Sequence, residues 1–514
     1  MRRRARRLGV AAALAGALGT AVVFAISGEA APQGGTGRPP PEWARNAAAW
    51  PSHNAGLANT RANLATDIDA RNVHELKKRW TFALRYNGPY GAFTSNPIVL
   101  GGVVYLENPD STVFALRLTD GKTIWKHAYH SVTPSGGPNG VGYGYGLLFG
   151  ETEGSVFALR PGSGKQVWIR KLAQKDDEGI DMAPQLYDGK VLISTIPGSP
   201  TSFYRRGAYG TVYALDARTG KVDWRFSTIK NPKRDSGGGL WYPPAVDSQG
   251  RVFIGVANPG PYPSTPSDPN GSSRPGPNLY TDSLVALDGS TGKLLWYRQV
   301  TPHDVRDYDF QDSPILATEK IRGARTEVVI GAGKSGKVIA FRARDGKRLW
   351  TLELGKHNRY QSGPLPRKAV VFCPGGLGGV LTPMAETHNV LYVPWIDLCF
   401  KGSATGLVNE GPVPPLGGGL AAVDPADGRV IWRHRLGSLD SGAATVAKDV
   451  VFTSTIDGRV YALSAKHGST LWSTKAPAGI NSFPAVTRKM LIVGAGAPTK
   501  AKHGRDELIA YSLP

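Results

Sequence analysis

The 514-residue chain predicts an all-β fold, an eight-bladed β-propeller, and three observations carry that reading. The composition is turn-rich: 65 Gly and 39 Pro, with few stretches of helical period, favour short strands joined by tight turns. A unit then recurs, made of an apolar strand, a turn containing Gly, and a Trp four residues after that Gly. It occurs as FALRLTDGKTIW, FALRPGSGKQVW, YALDARTGKVDW, VALDGSTGKLLW, IAFRARDGKRLW, AAVDPADGRVIW and YALSAKHGSTLW, ending at Trp125, Trp168, Trp224, Trp296, Trp350, Trp432 and Trp472. Repeats at this period mean a propeller or solenoid, because one unit cannot bury its apolar face alone. Finally, two half-copies complement each other. LKKRWTF around Trp80 has the outer strand without its hairpin partner, and residues 508–513 (LIAYSL) have the inner strand without its Trp. Joined, they complete an eighth blade and close the ring, which removes free sheet edges. Each Trp is expected to pack between neighbouring blades with its indole N–H on a backbone acceptor.

Taken in order, the chain opens with Arg2, Arg3, Arg4, Arg6 and Arg7, followed by an uncharged apolar stretch over residues 8–26. Residues 1–30 therefore read as a signal peptide or N-terminal anchor, and the working part is expected outside the cytoplasm: secreted, periplasmic or membrane-anchored. Residues 31–42 read as a Gly/Pro linker with nothing to pack a core, and the propeller is expected over 43–514. Cys373 and Cys399 are the only cysteines, and in an exported chain a disulfide is the default. Such a bridge is worth roughly 3–4 kcal/mol by loop-closure entropy. No Cys-x-x-Cys-His occurs, so the chain carries no c-type haem of its own and any electrons must leave to a separate acceptor. The formal charge of +21 is compatible with an anionic envelope polymer as partner. No nucleic-acid motif or basic–aromatic run accompanies it, so nucleic acid is not an expected partner.

Two Gly/Pro/Ser-rich insertions, residues 259–277 and 402–419, interrupt the repeat. Inserted loops on a rigid scaffold build sites or lids, although the second loop reads equally well as a tolerated surface insertion. After Trp296 the chain packs His303, Asp304, Asp307, Asp309 and Asp312 into ten residues, its densest acidic cluster. On composition alone such a loop is a solvated turn. A carboxylate beside a cation can also neutralise the cation and accept a proton.

The repeat resembles that of pyrroloquinoline-quinone (PQQ) dehydrogenases, and equally that of non-catalytic propellers such as the outer-membrane-barrel assembly scaffold. The segments between repeats are more specific. TPHDVRDYD (301–309) resembles the Thr-Pro-His-Asp-x-Trp-Asp-Tyr motif of PQQ-dependent alcohol dehydrogenases, with Arg306 where the family has Trp. The resemblance implies that Asp307 is the catalytic base. It also implies that Asp309 is the extra metal ligand of lanthanide-using members. GGGLWYPPAVDSQGRVFIGVANPGPYP (237–263) resembles the segment that supplies a Trp floor for the quinone and an amide ligand for Ca²⁺, which fall on Trp241 and Asn258. VVIGAGKSGKVIAFRARDG (328–346) resembles the segment whose cation hydrogen-bonds the quinone oxygens, here Lys334. Residues 371–399 resemble the family's Cys-Pro … Cys segment, which implies a Cys373–Cys399 bridge.

Two departures stand beside these matches. The family has a Glu metal ligand in the third blade, but residues 189–215 contain no Asp or Glu, and Arg205 and Arg206 occupy that neighbourhood, where either could replace the cation. The adjacent cysteine pair that forms a ring over the quinone is missing too. A metal on Asn258, Asp307 and Asp309 alone is expected to bind more weakly. The resemblance thus implies an exported PQQ-dependent alcohol dehydrogenase-like oxidoreductase using PQQ and a Ca²⁺ or lanthanide ion. It would pass electrons from a small-molecule or polymeric alcohol to an external acceptor such as a cytochrome c. The alternative is a non-catalytic propeller acting as an envelope binding or scaffold protein. Trp241, Asn258, Asp307, Asp309 and Lys334 are expected to converge on one pocket near the propeller axis.

Overall fold

The hairpins of the repeat are the outer halves of four-stranded antiparallel sheets. A computed structural model describes residues 37–514 except 47, 85–90, 133–134, 175–177, 199–203, 205–206, 409–410 and 498–504. In it, eight such four-stranded cores follow one another as blades 1 to 8; blade 6 carries two further strands, and blade 7 gains Ala62–Asn63 in parallel at its inner edge. Blade 1 runs outward through Ile98–Leu100, Val103–Glu107, Thr112–Arg117 and Thr123–Ala128. An innermost strand such as Ile98–Leu100 is buried, whereas an outer strand such as Gln166–Lys171 is largely exposed.

Ring closure takes the form expected from the two half-copies. Blade 8 contains Ala485–Val486, Met490–Ala495, Glu507–Ser512 and Lys77–Ala83, so the outer strand comes from the start of the ring. Trp80 lies opposite Ala510, Thr81 opposite Ile509 and Phe82 opposite Leu508 in antiparallel register.

The Gly and the Trp of each repeat serve different contacts. Trp80, Trp125, Trp168, Trp224, Trp296, Trp350 and Trp432 each donate their indole N–H to a backbone carbonyl of the following blade, at 2.8–3.1 Å. The ring also lies against the turn glycine of that following blade. At Gly121, Gly164, Gly220, Gly292, Gly346, Gly428 and Gly468 an added Cβ would come within 2.5–2.7 Å of the indole Cε3, and φ lies between +66° and +80°. Only glycine satisfies both the turn conformation and the close approach. Trp472 differs, because the two strands it faces in blade 8 are opposite ends of the ring and share no hairpin turn. Its ring meets Tyr511 edge-on instead, at 5.4 Å.

The packed part begins earlier than the linker reading placed it. Gly37 donates its N–H to Asp188 (2.9 Å), Pro40 is buried, and a short helix over Pro41–Arg45 sets Trp43 to donate to the Tyr143 carbonyl (2.6 Å). Residues 37–42 therefore belong to the propeller's surface, while the leader and the rest of the linker lie outside the described residues. Beyond Trp50 the segment HNAGLANTR crosses the middle of the ring. Asn59 donates to the carbonyls of Pro243 and Pro314 at 3.1 Å each, and Arg61 donates to those of Ala444 (2.9 Å) and Pro484 (3.0 Å). One short segment thus touches the inner ends of blades 4, 5, 7 and 8.

Candidate active site

Repetition itself places the site. Thr94, Pro138, Asp181, Trp241, Gln311, Leu381, Ser441 and Asn481 each stand four residues before the innermost strand of blades 1 to 8. Equivalent positions around a ring come together only at its axis. All of these but Asp181 line one cavity of about 380 Å³, a volume suited to a small-molecule ligand. Asp181 sits just behind the wall, where it accepts hydrogen bonds from Ser135 Oγ (2.7 Å) and the Gly136 N–H (3.1 Å).

The acidic loop divides its labour. Asp304 shapes it: its carboxylate accepts the backbone N–H groups of Arg306 (2.8 Å) and Tyr308 (2.6 Å). Asp307 lies between them at φ +68°, a left-handed turn conformation that Asp tolerates better than most residues. Arg306 fastens a neighbouring loop, donating to the carbonyls of Tyr360 (2.7 Å) and Ser362 (3.2 Å) with its guanidinium over the Phe372 ring. The first insertion is tied down to the same loop. Arg274 donates to the Asp304 carbonyl (2.6 Å), and the two His303 ring nitrogens reach the carbonyls of Gly276 (3.1 Å) and Asn270 (2.8 Å). Asp312 is buried beyond the cavity; burial pushes its carboxyl well up, and the charge of Arg61 opposes this.

Asp307 and Asp309 meet Lys334, which follows the strand Ala324–Ala332 of blade 5. The Lys334 ammonium lies 2.5 Å from Asp309 Oδ2 and 3.0 Å from Asp307 Oδ2. Burial by itself would lower this amine, but the two carboxylates outweigh it and hold the amine above its ordinary value, so it stays charged. Burial pushes the Asp307 carboxyl well up, with Lys334 pulling the other way. The other oxygen of Asp309 accepts the Asn258 backbone N–H at 2.5 Å. Trp241, Asp307 and Lys334 line the cavity directly, while Asn258 and Asp309 stand behind them. The structure therefore brings the five expected residues together, from three separate segments.

The remaining walls come from residues that the motifs did not mark. Trp241 donates its indole N–H to Tyr204 Oη (3.1 Å), and a Cβ added at Gly137 would lie 2.8 Å from its ring. Gly136 and Gly137 thus give the wall beside Trp241 as bare backbone. On another side, Gly376 leaves room for Asp307, because a Cβ there would sit 2.9 Å from Asp307 Oδ2. That loop follows Cys373, which is bonded to Cys399. Leu377 and Leu381, and Phe400 with Leu407 after the second cysteine, form an apolar side. Leu407 places the second insertion in the wall rather than on an unrelated surface.

The residues present fit a flat polar cofactor and a hard cation. Tyr262 Oη, Gln311 Oε1, Thr382 Oγ1 and Asp307 Oδ1 are buried on the cavity wall without a hydrogen-bond partner in the protein, an arrangement that a polar ligand would complete. Asn258 Oδ1 is likewise buried and unpartnered. With Asp307 and Asp309 it makes an all-oxygen set, the kind that Ca²⁺ and its trivalent analogues take. Among the described residues no group of three or more His, Cys, Asp or Glu is placed to hold a metal, so an ion here would depend on the Asn258 amide. Arg205 and Arg206 lie outside the described residues.

Fold and site together define a ring-shaped scaffold with a ligand cavity on its axis and a buried acid–amine cluster in the wall. The family described as the glucose/ethanol/alcohol dehydrogenase β-propeller domain (PQQ) matches residues 50–356, more than half of the chain, and the chain belongs to that family. The outer membrane protein assembly factor BamB family matches residues 417–512. The quinohemoprotein alcohol dehydrogenase of Comamonas testosteroni is 28% identical, the alignment covering 92% of this chain and 76% of that protein. The quinoprotein alcohol dehydrogenase PedH of Pseudomonas putida is 26% identical over 84% of this chain and 83% of its own. Among solved structures, quinohemoprotein alcohol dehydrogenase ADHIIG of Pseudomonas putida has a TM-score of 0.79 at 23% identity, covering 92% of this chain and 81% of that one. A europium-containing methanol dehydrogenase has a TM-score of 0.76 at 20% identity, covering 91% and 99%. BamB from Moraxella catarrhalis has a TM-score of 0.52 at 15% identity, covering 85% and 97%.

Proposed function

We propose that this protein is an exported, PQQ-dependent alcohol dehydrogenase whose Asp307 takes the hydroxyl proton of the alcohol. The observation that carries the reading is the state of Asp307 on the cavity wall: one carboxylate oxygen rests on the Lys334 ammonium and the other is buried with no protein partner. Lys334 favours the ionised carboxylate, and the unpartnered oxygen is open to a substrate hydroxyl. Burial raises the carboxyl's affinity for a proton, which makes the ionised form the stronger base. When bound, PQQ supplies the hydride acceptor and a Ca²⁺ or lanthanide ion supplies positive charge beside it. Trp241 would support the plane of the quinone, Lys334 would hydrogen-bond its oxygens, and Asn258, Asp307 and Asp309 would hold the metal. The apolar side around Leu377, Leu381 and Phe400 would keep water from the reacting atoms. Electrons would pass to an external acceptor such as a cytochrome c, since the chain has no haem-attachment motif.

Export is supported by the arginine-led apolar leader and by the disulfide. Among the described residues no helix is long and apolar enough to cross a membrane. The scaffold alternative is favoured by the absence of acid in residues 189–215 and by the BamB match over 417–512. The decisive test is titration of the purified protein with PQQ in the presence of Ca²⁺ or La³⁺. Cofactor absorbance and alcohol-dependent dye reduction are the expected result. No PQQ binding under any metal condition would hand the protein to the scaffold reading.

A further inference from the structure

Asp309 has one oxygen engaged by the Asn258 backbone N–H at 2.5 Å, so the oxygen left to it is Oδ2, which Lys334 holds at 2.5 Å. Asp307 presents its Oδ2 to the same ammonium at 3.0 Å. A Ca²⁺-sized ion needs carboxylate oxygens at about 2.3–2.6 Å, so an ion drawing on Oδ2 of both acids would claim the space the ammonium fills. Among the described residues no third carboxylate joins Asp307 and Asp309 in a group that could hold a metal, although the buried acids Asp304 and Asp282 act on the site from farther off. Two like charges in so buried a place repel strongly. Lys334 has somewhere to go, because its side chain borders the axial cavity. A further oxygen stands by for the ion, since Asn258 Oδ1 is fully buried and has no partner.

We propose that Lys334 is a tethered competitor for the metal position, and that an ion entering between Asp307 and Asp309 turns the ammonium out into the cavity. The inference rests on the metal-bearing form of the function proposed above and adds a coupling to it. A quinone in the cavity gives the displaced ammonium a new partner, so metal and PQQ each tighten the binding of the other, as reciprocal linkage requires. It also gives the missing third-blade acid a consequence: with two carboxylates shared between two claimants, the unassisted metal site is weak and the cofactor completes it.

Terbium(III) luminescence, sensitised by neighbouring aromatic rings, reads metal binding without catalysis or added PQQ. Lys334→Met is expected to bind Tb³⁺ at least about ten-fold more tightly than wild type, whereas Lys334→Arg, which keeps the charge, is expected to stay weak. Equal or weaker binding by Lys334→Met overturns the competition. Should Lys334→Met fail to fold, the wild type carries the test: acylation of Lys334, read by mass spectrometry, is expected to rise when Tb³⁺ is added, and unchanged labelling overturns the proposal. If neither wild type nor Lys334→Met binds Tb³⁺, the metal-bearing reading falls and this inference with it. If the Tb³⁺ pattern holds but no alcohol is oxidised with PQQ, the inference stands and the proposed activity fails.

Discussion

Trp224 and Trp241 flank neighbouring blades and are almost equally buried, at 7% and 8% exposure. Their surroundings differ in kind. Trp224 donates to the Gly289 carbonyl and lies on the turn glycine Gly292, a contact set that recurs from blade to blade. Trp241 donates to a side-chain hydroxyl, Tyr204 Oη, and borders a cavity. Burial therefore does not separate scaffold from site in this ring. What separates them is whether the partner is backbone, which any repeat can supply at its rim, or a side chain and open space, which Trp241 meets at the axis.

The harshest way to test the scaffold side is to reopen the ring. Removing residues 507–514 takes away Glu507–Ser512, the strand joining Lys77–Ala83 to the rest of blade 8. Loss of cooperative thermal unfolding is expected, because the chain's two ends no longer share a sheet. A sharp melt near that of the full chain would show that closure does not hold the ring.

On the site side, Asp307→Asn should lower alcohol-dependent dye reduction by about 10²–10⁴-fold, the usual worth of a positioned base. PQQ binding should weaken far less than that, because the Asn amide still offers the metal an oxygen, and the melting temperature should stay close to wild type. A loss of PQQ binding of the same size would make Asp307 a binding residue and not a base.

The paired substitutions Trp224→Ala and Trp241→Ala separate rim from axis directly. The first should cost about 3–5 kcal/mol in denaturant unfolding, since it empties a packed seam between blades. The second should cost less, because part of its surroundings is already open, and should instead weaken PQQ binding. Equal stability losses would erase the distinction between rim and axis.

Asp181, the axis position hidden behind the cavity wall, carries the smallest effect. Burial pushes its carboxyl up to about 6, against the hydrogen bonds from Ser135 and Gly136. The folded state therefore holds this proton more tightly than the unfolded chain does. The resulting stabilisation is complete below about pH 4 and is lost as the pH rises to about 6, with a ceiling of roughly 3 kcal/mol. Asp181→Asn removes the titration, so its stability relative to wild type should rise between pH 4 and 6 and level off above. A difference that does not vary with pH would mean that Asp181 is not perturbed.

The blade count, the closing strand and the packing of Trp between blades on a backbone acceptor were legible from the sequence because each is a local pattern, whereas the seat of its ring on the next blade's turn glycine was not. A hairpin's apolar alternation, its turn glycine and its Trp lie within a dozen residues, and repetition multiplies the signal. That five candidate residues would come together was legible as well, but through resemblance to a family and not through their own spacing. Which of the acids serve as structure became clear only with the fold: Asp304 bonds the backbone of its own loop, and Asp312 lies buried near Arg61. The use of Arg306 to hold the Tyr360 loop likewise had no trace in the motif. Thr94, Gln311, Ser441 and Asn481 were missed although a signal existed, the fixed offset of four residues before each innermost strand. That offset has no meaning along the chain. It acquires one when the sheets close into a ring, because only then do equivalent positions from distant repeats converge on the axis and enclose a cavity. Tertiary structure alone also set Lys334 between Asp307 and Asp309, since electrostatic pairing depends on distances of a few ångströms that no separation in sequence encodes.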